Sequence, residues 1–252
     1  MRLYELRKAP EKNEKTKIIQ ELLKYSNDES MCVTFSTISK VGIHPKSEWA
    51  TPNGVYAYPL STYKDMLEQS LNSKTTAIFP YAADRVYVFV LKNIAKNPLN
   101  FNNTPLSDQD YEKHSLYAIQ QVSKMENSDS EIINWYKQYM NDIAQKYDNK
   151  SIALYKFLRE LTGSFPRQKQ TNLLNKLYRT LGYDAIVDEG NGVIFTKEEP
   201  TQIVFLQPSA YKIQEMFYND TAERERRVGS HRKRPHKKEP PQDNGLGDQI
   251  LF

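Results

Sequence analysis

Three stretches of the chain combine strand-forming residues with polar side chains at the strand ends, where functional groups often line a site. They are VTFSTISKVGIHP (33–45), TPNGVYAYPL (51–60) and GYDAIVDEGNGVIFTKEEPTQIVFLQP (182–208). The early and late stretches must pair in order to cover their apolar faces. We therefore predict a functional site where the two ends of the body meet.

Two tyrosines in the second stretch are spaced so that both rings could contact a ligand from one face of a strand. Tyr56 and Tyr58 are two residues apart, so on a strand both side chains lie on one face. The flat π face of a tyrosine suits a planar cationic ring. Alternatively, the two rings simply pack in the core, which is a common role in a chain that contains 17 tyrosines. Both interpretations stay open from the sequence.

Together, the three stretches resemble the ADP-ribosyltransferase fold, in the branch of the poly(ADP-ribose) polymerases and diphtheria-like toxins. Thr34-Phe35-Ser36 is similar to the His-Gly-Ser/Thr strand of that branch, with Thr and Phe replacing His and Gly. Residues 54–56 (GVY) resemble the family's Gly-Ile-Tyr. Residues 182–186 (GYDAI) and 199–205 (EPTQIVF) resemble Gly-Tyr-Asp-Gly-Ile and Glu-Pro-x-Gln-Ile-Val-Phe segments of phage and bacterial members.

The resemblance implies that NAD binds among these strands as a substrate and that no metal is needed. Its implied catalytic residues are Tyr56, stacked on the nicotinamide, and Glu199, which would stabilise the oxocarbenium-like transition state. Its implied NAD-binding residues are Thr34, Ser36, Gly54, Tyr58 and Gln202. Glu198 is an adjacent alternative to Glu199 for the catalytic carboxylate. Gln202 lies nearer the predicted strand start, where the glutamate of the family usually lies. Glu198 and Glu199 could also simply form a solvated turn between strands.

The fold implied by this resemblance is α+β, with a split antiparallel sheet and an inserted helical layer. The implied function is an NAD-dependent ADP-ribosyltransferase that acts on a protein or a nucleic acid. The alternative is a catalytically inactive member, phage-encoded or associated with a virion, that acts as a binding or structural module. Thr34 and Gln202, which depart from the family pattern, favour this alternative.

Hydrophobic periodicity predicts the elements that would position these residues. Strand patterns cover 31–36 (MCVTFS), 54–60 (GVYAYPL) and 85–91 (RVYVFVL), and later GVIF and TQIVFL. Apolar residues at helical spacing predict four helices, over 108–125, 130–147, 151–161 and 169–181. Gly182 is a plausible stop for the last helix, before a strand begins.

Other chemistries find little support in the residues. Cys32 is the only cysteine, which excludes an intramolecular disulfide and Cys-rich metal sites, and we predict that it is a buried thiol. The four histidines have no metal-site spacing. Walker loops, Gly-x-Gly-x-x-Gly and Gly-x-Ser-x-Gly do not occur, so the sequence does not indicate an NTPase, a Rossmann enzyme or a typical serine hydrolase.

The basic residues are concentrated near the C-terminus. Residues 224–238 contain eight Lys or Arg and one Glu, whereas the whole chain has a net charge of only +4. We predict one α+β domain over 1–220 and a disordered basic tail over 221–252, because the tail has too few apolar residues to offset its ordering entropy. The tail could contact the phosphate backbone of a nucleic acid in a salt-dependent way, or merely be solvated.

The hydropathy of the chain argues against a membrane-inserted protein. The mean hydropathy is −0.73, and no window approaches the roughly 18 to 20 apolar residues that a spanning helix needs. The N-terminal segment is charged where a secretory signal would be apolar. These features predict a cytoplasmic protein, located in the host cytoplasm or the virion if a phage encodes it.

Overall fold

The computed structural model describes residues 11–42, 52–72, 78, 86–103, 105–194 and 201–220. These residues form a mixed fold of six α-helices and seven β-strands. The helices are α1 (Glu11–Tyr25), α2 (Lys64–Asn72), α3 (Asp108–Glu126), α4 (Ser130–Lys146), α5 (Lys150–Leu161) and α6 (Arg167–Thr180). The strands are β1 (Met31–Ser36), β2 (Val55–Pro59), β3 (Tyr87–Asn93), β4 (Pro98–Asn100), β5 (Ala185–Glu189), β6 (Thr201–Phe205) and β7 (Tyr211–Tyr218).

The strands of the described residues form one open sheet in the order β4-β5-β6-β2-β1-β3-β7. The predicted pairing of early with late strands is confirmed, since β2 pairs with β6 and β3 with β7. All neighbours are antiparallel except β4 and β5, which are parallel, so the prediction of an antiparallel sheet is wrong at this edge. Parallel neighbours need a long crossover, and the four helices α3–α6 supply it.

The two halves of one sheet face are covered by different helices. Val204 of β6 belongs to a core cluster with α3–α6, whereas Val33 of β1 belongs to a cluster with α1 and α2. Strand β2 lies at the boundary: Tyr56 packs against the first cluster and Tyr58 against the second. We call this boundary along β2 the seam. The opposite face carries a third cluster, which includes the fully buried Cys32, so the predicted buried thiol is confirmed.

Polar side chains cap the beginnings of three helices in the inserted layer. Ser107 accepts a hydrogen bond from the backbone N–H of Asp110, and Asp129 accepts one from that of Ile132. Asn149 accepts hydrogen bonds from the first turn of α5 in the same way. Such caps satisfy amide groups that the helix leaves unpaired. The predicted helical layer is confirmed, with every helix boundary within two residues of its predicted position.

The segment after β5 is a turn held by a carboxylate. Gly190 and Gly192 have positive φ angles of 84° and 62°, which glycine adopts without strain. Asp188 accepts hydrogen bonds from the backbone N–H groups of Asn191, Val193 and Ile194, at 3.0, 2.8 and 2.9 Å. Because these donors are engaged, residues 192–194 do not form the strand that GVIF predicted.

Gly54, just before β2, allows that strand to approach β6 closely. A Cβ atom at this position would lie 2.6 Å from Cγ1 of Val204 and 2.8 Å from the backbone oxygen of Phe205. The loop is also tied to α6, because the side-chain amide of Asn175 donates a hydrogen bond to the backbone oxygen of Asn53. Gly54 therefore has a packing role at the position that the sequence assigned to NAD binding.

Candidate functional site

The stretches that carry the family resemblance lie on adjacent strands of the sheet. Strands β6, β2 and β1 are consecutive neighbours, and they hold Gln202, Tyr56 and Thr34 respectively. Within the described residues, β2 pairs with β6 through Val55–Ala57. It pairs with β1 only through its last two residues. The two strands therefore separate at the level of Thr34, whose side chain, two residues after Cys32 on β1, lies on the sheet face opposite the seam.

The side chain of Thr34 bridges this separation. Its Oγ1 donates a hydrogen bond to the backbone oxygen of Tyr56, at 2.7 Å. The hydroxyl hydrogen of Thr34 is thus engaged within the protein, while its oxygen can still accept a hydrogen bond. Ser36 lies at the end of β1, where its Oγ accepts a hydrogen bond from the backbone N–H of Ile38 at 3.1 Å.

The two tyrosines of β2 share a sheet face but pack against different neighbours. The hydroxyl of Tyr56 donates a 2.6 Å hydrogen bond to the backbone oxygen of Pro52, and burial raises its pKa well above the ordinary value of 10.0. The ring of Tyr58 makes an edge contact with that of Tyr63, with 5.5 Å between centroids. Both tyrosines pack as the second sequence interpretation predicts, and each stays partly exposed.

Gln202 is the most unusual polar residue of the seam. It is the second residue of β6 and is only 2% exposed, and neither Oε1 nor Nε2 has a hydrogen-bond partner within the described chain. A buried amide without partners costs about 1 to 3 kcal/mol of folding free energy. Continuing the β2–β6 register by one residue sets Tyr58 opposite Gln202. An unpaired amide beside a partly exposed ring could hydrogen-bond a ligand.

Asp188 lies opposite Gln202 on β5, where the two residues pair in the β5–β6 ladder. Asp188 is 3% exposed, and its carboxylate holds the turn that follows β5. We call the group formed by Tyr56, Tyr58, Asp188 and Gln202 the Gln202 site. Asp188 was missed by the sequence interpretation, although its place in a DEGN turn between two apolar runs was a usable signal.

Cations from the helical layer lie beside the Gln202 site. The positive charges of Arg167 and Arg159 act on the Tyr56 hydroxyl and oppose the rise of its pKa that burial causes. Lys156, one turn before Arg159 on α5, has a pKa lowered by burial and by the charge of Arg159, whereas the charge of Asp188 acts in the opposite direction. No sequence signal singled out these basic residues, because Lys156 and Arg159 lie within an ordinary amphipathic helix pattern and Arg167 lies just before another.

Several predicted residues lie outside the described part of the chain. They are Glu198, Glu199 and the tail over 221–252. Among the residues that the structure describes, no three His, Cys, Asp or Glu side chains come together as a metal site would require. None of the described helices is both long and apolar enough to cross a bilayer.

A pocket of about 400 Å³ lies elsewhere, between α3 and α4. Its walls are mainly apolar, with Leu116, Ile119 and Ile133 among them, and its charged groups are Lys124 and Lys137. None of the residues predicted from the sequence lines it. The candidate site is therefore the seam, where a buried amide, a carboxylate and tyrosines meet, rather than this cavity.

Comparison with known proteins does not identify the chain. No protein-family model, curated protein or solved structure matches it. A functional assignment therefore rests on the chemistry of the Gln202 site and on the residues that resemble ADP-ribosyltransferases.

Replacing Gln202 with methionine should raise the free energy of unfolding by about 1 kcal/mol or more, because it removes two buried polar atoms that lack partners among the described residues. Urea unfolding of the two proteins measures this difference. Gln214→Met, at an exposed position of β7, is the matched control and should change stability little. A less stable Gln202→Met protein would mean that the amide has a partner within the protein.

Proposed function

We propose that this protein binds NAD at the Gln202 site and transfers ADP-ribose to a protein or a nucleic acid. The observation that supports the proposal is the adjacency of β1, β2 and β6, which makes three separate segments similar to ADP-ribosyltransferases neighbours in the sheet. The amide of Gln202, which has no hydrogen-bond partner among the described residues, fits a ligand rich in hydroxyl and carboxamide groups, because it can donate and accept a hydrogen bond at once.

In this reaction the bond between the nicotinamide nitrogen and ribose C1′ breaks, and the bonding electrons leave with nicotinamide. A nucleophilic atom of the acceptor then bonds to C1′, and the acceptor releases its proton to solvent. Positive charge develops on the ribose, so a nearby carboxylate lowers the barrier. Glu199, three residues before Gln202 in the sequence, is the residue that we propose for this role.

A second candidate is a protein that binds NAD without turning it over, as a binding or structural module. Gln202 favours this function, because it is the second residue of β6 and the family resemblance expects a glutamate near a strand start. A neutral amide can hydrogen-bond the nicotinamide ribose but cannot stabilise its positive charge. Both functions require NAD binding and differ in the release of nicotinamide.

Calorimetry should detect binding of NAD to the full wild-type chain. The wild-type protein should also cleave NAD slowly and release nicotinamide. We expect Glu199→Gln to retain binding and to lower nicotinamide release about 100-fold, the usual effect of losing a group that stabilises transition-state charge. Glu189→Gln, at the exposed end of β5, is the matched control. If the wild-type protein bound NAD without releasing nicotinamide, and Gln202→Glu did release nicotinamide, the non-catalytic function would be favoured.

Tyr56→Ala removes the ring at the centre of the seam and should weaken NAD binding. Tyr56→Phe retains the ring and loses only the hydrogen bond to the backbone oxygen of Pro52. Comparing the two variants therefore separates the contribution of the ring to NAD binding from that of this hydrogen bond. Absence of any heat with wild-type protein at millimolar NAD would contradict both functions.

A further inference from the structure

We propose that Lys156 and Arg159, on α5, bind the diphosphate group of the nucleotide whose other end lies at the Gln202 site. This inference rests on the proposed function, because it takes NAD as the ligand. It adds an anion-binding site that no feature of the sequence had indicated. Its basis is a pair of half-buried cations on α5 that form no salt bridge with any carboxylate of the described residues.

The burial of these two cations is unusual for their residue types. Lys156 and Arg159 lie three positions apart on α5 and both are partly buried. Within the described residues, neither has a carboxylate oxygen within 4.0 Å, and Lys156 contacts the ring of Tyr155, with its Nζ 6.0 Å from the ring centroid. Like charges that are close together and partly desolvated are unfavourable unless an anion joins them.

The packing of α5 sets these cations beside the Gln202 site. Tyr155 belongs to the same core cluster as Ile186 of β5 and Val204 of β6. Asp188 lies two residues after Ile186, and Gln202 two residues before Val204, so both lie on that same face of the sheet. The residue after Tyr155 on the helix is Lys156. The charge of Asp188 acts on both Tyr155 and Lys156, so this part of α5 lies near the site.

The end of α5 is also fixed in position. The side-chain amide of Gln170, in the first turn of α6, donates a 3.0 Å hydrogen bond to the backbone oxygen of Arg159. This bond joins the two helices close to the basic pair. A cation held on a fixed helix loses less conformational entropy when it binds an anion than one on a mobile segment would.

The acidic groups near the pair do not neutralise it. Asp188 and Glu160 are the carboxylates whose charges act on Lys156, and Arg159 and Lys146 oppose them. Asp188 already accepts hydrogen bonds from three backbone N–H groups, which spreads its charge into the turn. The guanidinium of Arg159 can bind two phosphate oxygens at once, and the Lys156 ammonium supplies a compact charge, so the pair suits a diphosphate.

The test compares ligands with and without a diphosphate on the full chain. Calorimetry with ADP-ribose should show binding about 10- to 100-fold weaker for Lys156→Ala/Arg159→Ala than for wild type, because two charge-assisted contacts are lost. Binding of nicotinamide riboside, which has no phosphate, should not change. Lys176→Ala/Arg179→Ala is the matched control, because it removes the same residue types at the same spacing from exposed positions of α6.

Each result separates this inference from the proposed function. Equal ADP-ribose affinity in wild type and in the α5 double variant would overturn the inference and leave NAD binding intact. Binding of inorganic pyrophosphate that the double variant loses, without any binding of NAD, would support the anion site and contradict the proposed function. Thermal unfolding of both variants verifies that they are folded, and Lys156→Gln/Arg159→Gln repeats the test with longer side chains.

Discussion

Replacing Asp188 with alanine should lower the free energy of unfolding by about 3 kcal/mol or more, since hydrogen bonds to a charged group are worth about 1.5 to 3 kcal/mol each. Its carboxylate accepts three backbone hydrogen bonds, from Asn191, Val193 and Ile194. The side chain is 3% exposed, so water cannot easily replace it as the acceptor. The loss should concentrate in the turn between β5 and β6.

Urea unfolding measures this effect, and hydrogen exchange of the amides in 191–194 locates it. Asp188→Asn retains one acceptor oxygen and should lose less stability than Asp188→Ala. Glu189→Ala changes the exposed neighbour and should shift the free energy of unfolding by less than about 0.5 kcal/mol. If Asp188→Ala and Glu189→Ala behaved alike, the three N–H groups would have found acceptors other than this carboxylate.

The effect would extend to the candidate site. Asp188 pairs with Gln202 across the β5–β6 ladder, so a loosened turn also loosens the strand that carries the unpaired amide. We therefore expect Asp188→Ala to weaken NAD binding even though Asp188 is not assigned a contact with the ligand. Asp188 would be a positioning residue. Across the Asp188 variants, the loss of NAD affinity should therefore parallel the loss of protection of the turn amides against hydrogen exchange.

The inserted helices could be predicted because their signals are local. In α4, Tyr136, Met140 and Ile143 recur at helical spacing and all are buried. Caps such as Asp129 and Asn149 directly precede the first turns. Apolar periodicity and capping are both properties of adjacent residues, so the sequence contained nearly all the information that these boundaries require.

Elements stabilised by distant partners were harder to predict. Strand β7 pairs with β3 along its whole length, yet Ile213 and Met216 are exposed, so its hydrophobic pattern does not alternate as a half-buried strand should. Strand β4 has three residues, and its parallel partner β5 lies beyond four helices. Helix α1 begins in a charged segment, and its buried Ile18, Ile19 and Leu22 lie in its second half.

The residues of the candidate site likewise fall into those that the sequence predicted and those that it did not. Tyr56, Tyr58 and Gln202 were selected from the sequence, and the pairing of β2 with β6 brings these residues together across about 145 positions of chain. Lys156 and Arg159 were not selected, because the spacing of apolar residues defines a helix face without showing which strands it covers. The carboxylate that the family resemblance favours, Glu199, lies outside the described residues, so its role stays a prediction.

Alkaline pH should destabilise this protein strongly because several of its acidic hydroxyl and thiol groups are buried. Burial raises the pKa of Cys32 from 9.0 to about 12, with a further contribution from the charge of Asp28. Burial likewise raises the pKa of Tyr155 from 10.0 to about 12. Their protonated forms are favoured in the folded state, so the unfolded chain ionises first as the pH rises. Stability is therefore complete below about pH 9 and is lost progressively towards pH 12.

Between pH 8 and pH 11 the ionisation of these two groups alone should lower the free energy of unfolding by about 4 kcal/mol, since each unit between the unfolded pKa and the pH is worth about 1.4 kcal/mol. Cys32 accounts for two of these units and Tyr155 for one. Other tyrosines whose pKa is raised by burial add to this loss; they are Tyr56, Tyr111, Tyr136, Tyr178 and Tyr183. Urea unfolding at both pH values tests this, with a reducing agent present. Cys32→Ala is less stable at pH 8 because it leaves a small cavity, but on going to pH 11 it should lose about 3 kcal/mol less than wild type, the contribution of the thiol. Parallel losses in the two proteins would show that the thiol ionises as easily in the folded state as in the unfolded chain, and the burial of Cys32 in the third core cluster would then have no electrostatic consequence.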